Sequence, residues 1–189
     1  MNTGKRPQDE QRIKKAVQHM KPPPGIVMPP YPARRDRIYR MALLAMAASF
    51  AIEAAGRLSG QAGMLEAGQW LSSLSVWVAA WSFLVWLREW RWLVRGLAAV
   101  GLLAMVWWPL GGWAGVLSAS AVMAAKEHHC FHFVAARLIP WASVGVGLLL
   151  LAPIPNAAVG AGFGVLSALW VWLAVARQRL PLFSVSGDN

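Results

Sequence analysis

Hydrophobic residues in this chain come in long runs, each ended by basic residues, prolines or glycines. A helix rising 1.5 Å per residue needs some twenty apolar residues to cross a ~30 Å hydrocarbon core. Six runs approach that length, at residues 38–58, 65–87, 93–108, 113–125, 138–151 and 157–176. The fourth and fifth are short, and would be completed by flanking residues or end against other helices. The pattern predicts an all-α membrane protein, a bundle of six transmembrane helices built as three hairpins. A loop is expected between Ser59 and Glu66, an interfacial hinge from Arg88 to Arg95, and tight turns at Pro109-Leu110-Gly111-Gly112 and Pro153-Ile154-Pro155-Asn156. Gly111 with Gly115, and Gly160 with Gly164, have the small-xxx-small spacing that lets helix backbones approach closely.

Composition supports this reading. The chain is 57% hydrophobic with 12 Trp and only 14% charged residues, well below the quarter or so typical of soluble domains. Its net charge of +10 is segregated, with ten of 18 Lys and Arg in the first 40 residues and the rest mostly at run ends. An anionic inner leaflet accounts for that charge better than nucleic acid does. With the N-terminus in the cytoplasm, 17 of the 18 Lys and Arg fall on the cytoplasmic side, leaving only Arg57 outside. By the positive-inside rule both termini are then cytoplasmic. The expected setting is a multi-pass protein of a bacterial inner (cytoplasmic or intracytoplasmic) membrane.

Three segments follow: a basic, Pro-rich N-terminal extension (1–37), the transmembrane domain (38–179) and a short cytoplasmic tail (180–189). A basic start running into Pro-rich polar sequence does not read as a cleavable signal peptide. The prolines, Pro22, Pro23 and Pro24 among them, favour an extended polyproline II path toward Tyr31. That extension reads either as a solvated tail on lipid headgroups or as a strap along a partner protein. Trp77 and Trp81, in the second run, face a helix, lipid or a partner. Glu53 and Arg57, four apart near the far end of the first run, share one face and can neutralise each other.

The polar stretch Lys126-Glu127-His128-His129-Cys130-Phe131-His132-Phe133 holds the only cysteine and three of the four histidines. If helical, it puts His128 and His132 on one face; if extended, it aligns His128, Cys130 and His132, a soft N/S set suited to zinc or copper. The set is incomplete, and a further ligand would come from Glu127, water, His19 or another subunit. The alternative is an interfacial turn in which Phe131 and Phe133 sit in lipid while the histidines and Lys126 meet headgroups. Cys130 beside a histidine is also a candidate nucleophile. No histidine lies inside a run, which excludes bis-His haem between helices, and no phosphate loop or catalytic triad is present. No cofactor is expected beyond the zinc or copper option.

Asp36-Arg37-Ile38-Tyr39-Arg40, leading into an Ala-rich first run, and Lys126-Glu127-x-x-Cys130-Phe131 after the fourth, resemble an integral membrane family called domain of unknown function 2301. The resemblance covers roughly residues 34–179, and its specificity rests on the second motif. Members of that family carry apolar or aromatic residues where this chain has His128 and His129. The departure points away from a family-wide metal site and toward Lys126, Glu127 and Cys130. The family occurs in cyanobacteria, plastid-bearing eukaryotes and some bacteria, which implies a link to energy-converting, photosynthetic membranes. The function expected first is a non-enzymatic accessory or assembly subunit docking laterally on a larger membrane complex. The alternatives are a membrane enzyme or metal-handling protein using Glu127, His128, Cys130 and His132, and a small-solute transporter.

Overall fold

The computed structural model describes residues 33–83, 85 and 88–180. Pro22, Pro23, Pro24, Tyr31, His19, Trp86 and the tail from 181 onward lie outside the described residues. The described chain is all-helical, with six helices: α1 (Ala33–Ser59), α2 (Ala62–Ser82), α3 (Arg88–Trp107), α4 (Pro109–Phe131), α5 (Val134–Leu151) and α6 (Asn156–Gln178). Each packs on its neighbour in sequence, α6 closes back onto α1, and α2 also touches α4. Four of them, α1, α3, α5 and α6, are long and apolar enough to cross a membrane.

The ring follows from where each helix places its small and large residues. In α1, Leu43, Met46, Ala47, Phe50 and Ala54 recur at three- and four-residue spacing and are buried, which is one helical face. Phe50 meets Trp113 of α4 and Phe163 of α6, with ring centroids 6.3 and 6.1 Å away, and Trp113 and Phe163 are 4.6 Å apart. Three aromatic rings thus fill the middle of the bundle at one end. Glycine sets the spacing elsewhere. A methyl group added at Gly68 would sit 2.7 Å from the Glu53 backbone, and one at Gly115 would sit 2.6 Å from Gly101 Cα. Both distances mean that helix backbones touch, α2 on α1 and α4 on α3.

The joints are tighter than the pattern of runs predicts. Gly60 adopts φ +70° after α1, the left-handed conformation in which glycine ends helices without a side-chain penalty. The expected 59–66 loop therefore shrinks to Gly60 and Gln61. Pro109-Leu110-Gly111-Gly112 is not a turn but the first turn of α4, because proline fits the first helical position, where no N–H is required. Trp108 alone joins α3 to α4, its N–H bonding back to the Ala104 carbonyl at 2.7 Å. The basic hinge from Arg88 is helical as well. Of the spaced glycines, Gly115 and Gly160 make interhelix contacts, Gly111 abuts Trp108 next to it, and Gly164 faces open space.

Candidate functional site

The polar stretch after the fourth run is helical through Phe131, so it extends α4 instead of forming a loop. His132 then takes φ 55°, a left-handed cap whose N–H bonds the His128 carbonyl at 2.8 Å. Continuing the helix carries the buried face of α4 on from Ala119, Ser120, Met123 and Ala124 to Glu127. The same periodicity brings Asp36, Tyr39 and Arg40 inward on α1, and Arg177 inward on α6 after Trp170, Leu173 and Ala174.

These three faces meet at one end of the bundle. Arg177 Nη2 donates to Asp36 Oδ1 at 2.7 Å, and Arg40 Nε donates to Asp36 Oδ2 at 2.7 Å. Arg177 Nε lies 3.4 Å from Glu127 Oε2, while Lys126 Nζ donates to Glu127 Oε1 at 2.9 Å. Two carboxylates, from α1 and α4, thus serve three cations from α1, α4 and α6. Asp36, Glu127 and Arg177 are essentially inaccessible to solvent. Arg40 Nη1 also donates to the Leu180 carbonyl at 2.7 Å, capping the end of α6. Aromatic rings line the cations: Phe131 lies 4.6 Å from Arg177 and 5.4 Å from Lys126, and Phe83 lies 5.5 Å from Lys126. Such faces attract desolvated cations.

The two motifs that carry the family resemblance, 90 positions apart at Asp36 and Lys126, are therefore parts of one cluster. Arg177 joins them and belongs to neither motif. One signal in the sequence separates Arg177 from Arg179. Arg177 continues the three- and four-residue spacing of the buried α6 face, and Arg179, two residues on, is exposed.

The electrostatics favour fixed charges. Burial pushes the Glu127 carboxyl up, but Lys126 and Arg177 outweigh that and hold it below the usual carboxylate range. The Tyr39 hydroxyl, buried beside Glu127, adds a smaller pull in the same direction. Burial also pushes the Cys130 thiol up, with Lys126 opposing and Glu127 adding to the rise. A protonated thiol is a poor nucleophile.

As the helical alternative requires, His128 and His132 fall on one side of the stretch. His128 and His132 rings are 6.1 Å apart, His128 Nδ1 lies 3.3 Å from the Phe133 carbonyl, and His129 is exposed. The helix turns Cys130 away from the face shared by His128 and His132. Among the described residues no group of three or more His, Cys, Asp or Glu is placed to hold a metal ion.

Further out, Arg37 is exposed on α1, and Trp81 packs edge-on against half-buried Trp77 at 6.0 Å. The Arg95 guanidinium covers Trp81 at 4.6 Å and donates to its carbonyl at 3.2 Å, tying α3 to α2. At the opposite end of α1, Arg57 Nε donates to Glu53 Oε1 at 2.8 Å and its guanidinium lies 5.5 Å from the Phe163 ring. That pair is internally neutralised, with Glu53 fully buried.

Compared with known proteins, the chain matches no family model, no curated protein and no solved structure.

Proposed function

We propose that this chain is a non-enzymatic accessory or assembly subunit that docks laterally on a larger energy-converting membrane complex. The observation that carries this reading is the use made of Lys126 and Glu127. The polar residues of the motif are spent on holding α1, α4 and α6 together inside the bundle. A catalytic acid or base must instead reach a substrate. Cys130, half-buried and with its thiol raised, supports the same side. The family resemblance, which rests on those motif residues alone, makes a photosynthetic complex the first place to look.

Six crossings with both termini in the cytoplasm suit this role. α2 and α4 fall short in apolarity, yet all but one of their serines turn inward. Ser72, Ser73, Ser75 and Ser120 are buried, whereas Trp70, Leu71 and Leu74 face outward. Ser49 and Ser75 hydroxyls meet at 3.3 Å across the α1–α2 contact, and Ser167 donates to the Ala47 carbonyl at 2.7 Å. Inward serines of this kind join helices and leave an apolar exterior for lipid or a partner. Trp107, Trp141 and Trp172 stand on that exterior.

The test is mild-detergent purification of the tagged protein from its native membrane, with identification of everything that comigrates. Stoichiometric comigration with a pigment- or haem-bearing complex is the expected result. A free protein or a homo-oligomer under the gentlest conditions would overturn stable docking.

A further inference from the structure

A depression of about 370 Å³ opens where α1 and α6 end together, lined by Arg37, Arg40, Met41, Gln178 and Leu180. Its chemistry is graded. At the mouth stand the exposed Arg37 and Gln178; in the wall is Arg40, almost wholly buried and fixed by Asp36 and the Leu180 carbonyl. Arg34 and Arg35 lie on the preceding turn of α1. Among the described residues this end of α1 and α6 bears cations well in excess of its single carboxylate, Asp36, which two guanidiniums already share.

The other rim is apolar. Met41 is 63% exposed. The Ser167–Ala47 hydrogen bond fixes how α1 and α6 align. In that alignment Met41 and Ala45 run beside Val175 and Val171, all four exposed. A strip of small and apolar residues therefore leads from the basic depression down the outer seam between the two helices.

We propose that this depression is a binding site for the phosphate headgroup of an anionic phospholipid, with Arg37 and Gln178 at its mouth as ligands, Arg40 behind them adding positive charge, and the α1–α6 seam receiving an acyl chain. The headgroup chemistry follows from the exposed guanidinium of Arg37, whose planar fork matches a pair of phosphate oxygens, in a wall made positive by Arg40. The lipid source, as against a soluble phosphate, follows from the apolar seam that continues the site. The assignment rests on these helices spanning a bilayer and is independent of any partner complex.

The test uses the purified full chain in detergent, with native mass spectrometry counting retained lipids during titration with phosphatidylglycerol or phosphatidylcholine. One phosphatidylglycerol per chain is expected to be held in preference to phosphatidylcholine. Arg37→Ala should weaken that binding at least about tenfold, the scale of one lost charge-assisted hydrogen bond. Arg34→Ala, which removes the same charge without touching the depression, should change it less than about twofold. Gln178→Ala, an uncharged change at the mouth, should weaken it several-fold and carries the test if Arg37→Ala folds poorly. Equal losses from Arg34→Ala and Arg37→Ala would reduce the effect to diffuse attraction and overturn the site. So would equal retention of phosphatidylcholine, unchanged binding in both Arg37→Ala and Gln178→Ala, or displacement of the lipid by millimolar inorganic phosphate.

Discussion

Glu127 receives the part-buried Lys126 on one oxygen and faces the buried Arg177 with the other. Buried ion pairs contribute little relative to apolar packing, but removing one partner strands the other charge, at a cost of about 3–5 kcal/mol. Glu127→Gln should therefore lower unfolding stability in detergent by about that amount, measured by denaturant titration of tryptophan fluorescence. The carboxyl is held below its usual range in the folded protein. Its stabilisation is thus fully present above the unfolded value of about 4.3 and lost as pH falls through the lower folded value. Wild type should lose stability over that acid window, and Glu127→Gln, already without the contribution, should lose less. Cys130→Ser is expected to leave stability within about 1 kcal/mol, a near-isosteric change at a half-buried position. At this scale the sequence was only partly legible. Lys126, Glu127, Asp36 and Arg40 stand out as motif residues, but that they meet depends on α6 closing onto α1 and on Arg177 reaching across to Glu127 of α4. No local pattern encodes that closure. The spacing of His128 and His132 was legible too, and the helix that continues through the stretch brings those two to one side while turning Cys130 away.

The helices themselves were legible because runs of apolar residues and Pro/Gly punctuation fix their number. Their ends were less so, since Pro109 starts a helix as readily as it breaks one. Which glycines matter was also hidden, because spacing marks candidates without saying what each faces. Contact with a neighbouring backbone decides it. Gly68→Ala and Gly115→Ala push a methyl into Glu53 and Gly101 backbone at under 3 Å, and should each destabilise by about 1–3 kcal/mol. Gly164→Ala and Gly96→Ala meet nothing within 4 Å, and should be neutral or slightly stabilising, since alanine is the better helix former. Thermal unfolding of the four variants checks the contrast. Equal effects at all four positions would mean that α2 does not pack on α1 as described.

At the scale of the whole molecule, alternating helix direction gathers the basic residues from Arg34 to Arg40, from Arg88 to Arg95, and Lys126, Arg137, Arg177 and Arg179 at one end of the bundle, with Arg57 at the other. The proposed docking and lipid site rest on six crossings with that charged end in the cytoplasm. Single cysteines placed in a Cys130→Ser background and exposed to a membrane-impermeant maleimide on intact spheroplasts test this directly. Gln61→Cys and Asn156→Cys, at the α1–α2 and α5–α6 joints, should label at once. Arg88→Cys and Arg179→Cys, at the charged end, should label only after permeabilisation. Labelling of Arg88→Cys or Arg179→Cys from outside, or protection of Gln61→Cys or Asn156→Cys, would contradict the six-crossing arrangement and its orientation.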